Sequence, residues 1–184
     1  MRILVAYASR HGATAGIAQR LGEVLEAQGM AVDVRDAADA RRIDRAELER
    51  YDAFVIGAAI YAFHWLGDAR DFARAHAELL RGRPVWLFGS GPVGDKTTDD
   101  QGHDFMKPPA EMASLSSLVH ARDSRIFFGA YDPDAKPIGL MEHFLRAVPA
   151  GREALPAGDF RNWDDIELWA RSIARELSPA VVTA

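Results

Sequence analysis

The residues best suited to chemistry come within the first fourteen. Ser9-Arg10-His11-Gly12-Ala13-Thr14 follows the apolar run 2–7 and precedes a helical pattern, so strand, polar loop and helix succeed one another. A loop of this kind aims several backbone N–H groups and the positive end of a helix dipole at one point, and the hydroxyls of Ser9 and Thr14 add to them. The anion that suits it is a phosphate. The same residue types also cap helices and relieve tight turns without binding anything. The spacing matches neither G-x-G-x-x-G nor G-x-x-x-x-G-K-S/T, so neither the usual dinucleotide turn nor an NTPase P-loop is indicated.

Two further clusters follow buried-looking runs. Tyr61, Phe63, His64 and Trp65 come directly after the apolar segment 53–58. Aromatics on a loop suit stacking against a flat conjugated ring, or else they cover a sheet edge. Ser90-Gly91-Pro92-Val93-Gly94-Asp95 follows the apolar segment 84–89, and its glycines let backbone atoms approach a ligand edge closely or simply make a turn. His64 and His103 are the histidines to test for proton exchange, since an unperturbed imidazole titrates near about 6.5. A single histidine on such a loop also serves only to hydrogen-bond the backbone.

Composition narrows the chemistry. Cysteine is absent, which removes disulfides, thiolate metal sites and redox thiols together, so any redox chemistry belongs to a bound cofactor. The net charge of −5, from 27 acidic and 22 basic residues, is mixed along the chain and argues against a nucleic-acid partner. The apolar start is shorter than a secretory core, and the longest apolar run, 53–63, falls well short of the roughly 20 residues that span a bilayer. The expectation is a cytoplasmic protein with no transmembrane segment and no metal site. At 184 residues the chain can bury a core of its own, and one domain over 1–178 with a flexible tail at 179–184 is expected.

The clusters need elements to hold them. Apolar runs at 2–7, 31–34, 53–58, 84–89 and 125–130 read as strands. Between them Ile17, Leu21, Val24 and Leu25 recur at helical spacing until Gly29, Phe72 to Leu80 form a second stripe, and 110–121 a third. A last helix begins near Asn162, with acids in its first turn. Strands alternating with helices predict an α/β fold, a doubly wound five-stranded parallel sheet with helices on both faces. Ligands of such sheets sit beyond the carboxyl ends of the strands. The three clusters fall at those ends and are predicted to converge.

Tyr7 to Thr14, the strand end Ile56-Gly57-Ala58-Ala59-Ile60-Tyr61, and Asp159-Phe160-Arg161-Asn162-Trp163 together resemble the flavodoxin superfamily, and within it the branch of the menaquinone-dependent protoporphyrinogen dehydrogenase. The resemblance implies strand order 2-1-3-4-5 and FMN as cofactor. It implies that Ser9, Arg10, His11, Gly12, Ala13 and Thr14 wrap the phosphate. Ala59, Ile60, Tyr61, His64 and Trp65 then lie along the ring, and Ser90, Gly91, Pro92, Val93, Gly94 and Asp95 meet its pyrimidine edge. It also implies electron transfer from a small organic reductant to a quinone, or, in a carrier flavodoxin, to redox-protein partners. Such a carrier would dock through acids such as Asp95, Asp99, Asp100 and Asp104. A deazaflavin would fill the same cleft, with Arg10 nearest its longer charged tail. Arg10-His11 stands where simple flavodoxins favour small polar residues. Leu140, Met141, Phe144, Leu145 and Val148 form an apolar stripe in a long insertion, suited to a substrate site, peripheral membrane contact, a second subunit or packing on the domain.

Overall fold

Along β1 (Arg2–Ala8), Ile3 and Val5 pack to one side and Leu4, Ala6 and Ala8 to the other, and all are buried. A strand buried on both faces belongs inside a sheet that is covered twice. The computed structural model describes residues 1–61, 64–94, 96–98, 102, 104–136 and 156–178. In it β1 is flanked by β2 (Ala31–Asp36) and β3 (Ala53–Tyr61), and the sheet continues through β5 (Val85–Ser90) to β6 (Asp123–Phe127). These strands pair in parallel in the order β2-β1-β3-β5-β6. Numbered among themselves they give the expected order 2-1-3-4-5.

A strand missing from the sequence reading is β4 (His64–Trp65), which folds back antiparallel on the end of β3 and pairs Ile60 with Trp65 and Tyr61 with His64. The last parallel strand also ends earlier than the run 125–130. Beyond Phe127 the Gly129 amide turns away to donate to the Pro92 carbonyl at 2.8 Å, and β7 (Ala130–Tyr131) pairs with β8 (Gly158–Asp159) instead.

Helices α1 (Ala13–Ala27) and α7 (Trp163–Leu177) cover one face, where Ile17, Leu21, Leu25, Ile166 and Ile173 meet Ile3, Val5, Val55 and Trp86. Trp169 meets Phe88 and Phe127 edge-on, and those two rings are tilted to each other, with centroids 5.6–6.2 Å apart. The other face carries the short α2 (Ala37–Ala40) and α3 (Arg45–Leu48), then α4 (Gly67–Ala75), α5 (Ala77–Arg81) and α6 (Ala110–Val119). The stripe from Phe72 to Leu80 is thus two helices: His76, at φ −113° and ψ 17°, leaves the helical range and separates α4 from α5.

At the amino ends of the strands a polar lock closes the sheet. The Tyr51 hydroxyl donates to Asp33 at 2.7 Å, Arg2 donates to the same carboxylate at 2.7 Å, and its guanidinium lies 4.6 Å over the Tyr51 ring. The opposite, carboxyl edge is left to the loops. Among the described residues no helix is long and apolar enough to cross a membrane, and no group of three or more acidic or histidine side chains is placed to hold a metal ion. The expectations for Phe63, Asp95, Asp99, Asp100, His103, the stripe at 140–148 and the tail at 179–184 lie outside the described residues.

Candidate functional site

The first loop is held open by one hydroxyl and one glycine. Ser9 Oγ accepts the Gly12 amide at 3.1 Å, bending the chain. Gly12 then takes φ 85°, a left-handed conformation that disfavours any side chain, and starts α1. A Cβ built there would meet nothing within 4 Å, so the loop faces open space. Helix α1 has no side-chain cap and no acid in its first turn. α2, α3 and α7 are each capped by an Asp or Asn side chain, and α4, α5 and α6, uncapped like α1, each carry an acid in the first turn. The first amides of a helix have no partner within it, and at α1 no cap stands in for one.

Thr14 is placed differently from the expectation. It is 1% exposed, and its hydroxyl donates to Ser90 Oγ at 3.3 Å. Ser90, 2% exposed at the end of β5, is buried with it. This bond joins the first loop to the third.

The second loop is the β3–β4 hairpin, and the period of two decides which of its side chains point outwards. Tyr61 is exposed and His64 has 80% of its side chain exposed, whereas Trp65 is 2% exposed within the core on the α4 and α6 side. The expectation that Trp65 lies along a bound ring is therefore corrected: antiparallel pairing with Ile60 turns it inwards. Ala59 is likewise buried and Ile60 half-buried. From outside, Glu111 on α6 fixes the hairpin. Its carboxylate accepts the Trp65 amide at 3.1 Å and Arg70 Nη1 at 3.0 Å, and stands 3.9 Å from His64 Nδ1. Burial pulls the Glu111 carboxyl up, but the Arg70 and Trp65 hydrogen bonds outweigh it and hold the group below its ordinary value.

The third loop backs onto the second. A side chain at Gly91 would begin 2.9 Å from the Ile60 carbonyl oxygen, so the approach requires glycine. The Gly91 amide donates to the Phe127 carbonyl at 3.3 Å, and Gly94 turns at φ 105°. The first and second loops meet as well: the Arg10 guanidinium lies 5.0 Å over the Tyr61 ring. The three loops thus touch pairwise at the carboxyl edge.

Sequence reasoning missed Glu111, Arg70 and the role of Arg161. Glu111 lies 46 residues from the amide it holds, with no local pattern to mark it. Arg161 stood in plain view before the Asn162 cap, but its contact with α1 joins residues 148 apart.

A flavodoxin domain family model matches residues 4–134. The chain belongs to the flavodoxin domain family. Among its flavodoxin-fold neighbours, oxidised flavodoxin 2 from Bacillus cereus superposes with a TM-score of 0.61 at 20% identity, over 96% of this chain and 100% of that one. Oxidised flavodoxin 1 from the same organism gives 0.61 at 16%, over 97% and 100%. In sequence, the chain is 34% identical over 96 residues to the protoporphyrinogen IX dehydrogenase [quinone] of Escherichia coli strain K12, covering 52% of this chain and 51% of that protein. It thus spans about half the length of the curated relatives it matches.

Proposed function

We propose that this flavodoxin-domain protein binds FMN at the carboxyl edge and acts as an oxidoreductase of the protoporphyrinogen dehydrogenase kind, taking electrons from a small organic reductant and giving them to a quinone. The uncapped first turn of α1, opening on space at Gly12, is the observation that carries the cofactor assignment. The residues there fit a phosphate monoester: the first-turn amides of α1 have no side-chain cap, its dipole favours a negative charge, and its first turn carries no acid. The likeness over half the chain to a quinone-dependent dehydrogenase supports the reaction class.

FMN supplies the redox chemistry when bound. The chain's part is to hold and orient it. Residues 9–14 anchor the phosphate, Tyr61 offers an aromatic face, and the backbone at Gly91 to Gly94 meets the ring edge. The buried Thr14–Ser90 bond sets the spacing between the phosphate and ring-edge loops. His64, exposed, stands 3.9 Å from the Glu111 carboxylate at this edge. Anaerobic reduction of the FMN-loaded protein with a panel of organic donors, followed by reoxidation with quinones, tests the reading. Turnover with quinone is expected. Reoxidation by redox proteins alone would make the protein an electron carrier, and deny it the dehydrogenase role.

A further inference from the structure

We propose that Arg161 is a positioning residue of the phosphate cradle that makes the site prefer a phosphate ester over the bare ring system; this rests on the reading of residues 9–14 as that cradle. Arg161 sits between β8 and α7, yet its Nη1 reaches back to donate to the Ala13 carbonyl, in the first turn of α1, at 3.3 Å. A Cβ on Gly16 would fall 2.5 Å from the same nitrogen, so the guanidinium lies close against the helix at Gly16. Its far side is clasped by Asp159, with Nε to Oδ1 at 2.8 Å and Nη2 to Oδ2 at 2.7 Å. The Trp163 ring lies 4.4 Å beneath it.

These contacts fix the charge in place: the side chain is 17% exposed. A cation at the positive end of a helix is unfavourable unless something negative offsets it. Asp159 does so in part, from the side away from the helix, and α1 provides no acid of its own in its first turn. With no acid in the first turn of α1, the positive end of its dipole is not offset there, and Arg10 lies over the Tyr61 ring. A phosphate in the loop completes the charge balance. A neutral ring gains nothing from it.

The distinction is measurable with two ligands that share a ring and differ by the phosphate. Apoprotein is titrated with FMN and with riboflavin, following flavin fluorescence. For wild type, FMN binds more tightly. Arg161→Ala is expected to weaken FMN binding about tenfold while riboflavin changes less than about twofold, as for the loss of one nearby positive charge. Asp159→Asn keeps a hydrogen-bond acceptor and removes the negative charge, so FMN is expected to bind severalfold more tightly with riboflavin unchanged. A gain of affinity cannot arise from misfolding. Equal losses for both ligands in Arg161→Ala, or an unchanged FMN preference in both variants, would overturn the role of Arg161. Wild type binding riboflavin as tightly as FMN would instead overturn the phosphate cradle.

Discussion

Thr14 and Ser90 share one buried hydrogen bond across the sheet. Replacing Thr14 with Val keeps its shape and strands the Ser90 hydroxyl, which costs about 1–3 kcal/mol. Chemical denaturation of Thr14→Val should show that loss; a stability equal to wild type would show the bond to be idle. Ser9→Ala is expected to behave in the opposite way. Its hydroxyl shapes a half-exposed loop, so stability should hardly move while FMN affinity falls by about 1 kcal/mol, the worth of one ordinary hydrogen bond. The loop itself was legible from sequence because hydroxyls and a glycine break the apolar run 2–7 just before a helical pattern. The direction of each hydroxyl was not, because Thr14 chooses its partner from a strand 76 residues away.

At the scale of elements, the hairpin β3–β4 carries the exposed Tyr61 and His64, and Glu111 holds it. Because hydrogen bonds keep the folded Glu111 carboxyl below its ordinary value, its contribution is complete above the unfolded value near about 4.3 and is lost as pH falls through the folded one. Glu111→Ala also leaves the Trp65 amide without its acceptor, a cost of about 1–3 kcal/mol. Wild type should therefore exceed Glu111→Ala in stability at neutral pH, with the gap narrowing in acid; a gap independent of pH would assign it to packing alone. Trp65→Ala opens a core cavity and should cost about 3–5 kcal/mol. Calorimetry showing a melting point within a degree of wild type would return Trp65 to the surface. The run 53–58 announced a buried strand plainly, since both its faces are apolar. The turn-back was hidden, because two residues of pairing leave no periodicity to detect.

For the whole molecule, the order of the strands decides function by placing three loop clusters at one edge, and that order follows from alternating strands and helices with right-handed crossovers. This was the most legible level. What stayed hidden were the long-range polar ties, such as the lock at the other edge. There burial, then the hydrogen bond to Asp33, push the Tyr51 hydroxyl up to about 12. An unfolded tyrosine ionises near about 10, so the stabilisation by Tyr51 is complete below that and fades as pH rises towards the folded value. Alkaline denaturation should thus be steeper for wild type than for Tyr51→Phe, and identical slopes would remove Tyr51 from the lock.

The most direct test is a crystal structure grown with FMN. The expected density has the phosphate at the first turn of α1, beside residues 9–14, and the ring between Tyr61 and the backbone of Gly91 to Gly94. Density for FMN anywhere else, or none at that edge with FMN in excess, would contradict the cofactor cradle on which the function rests.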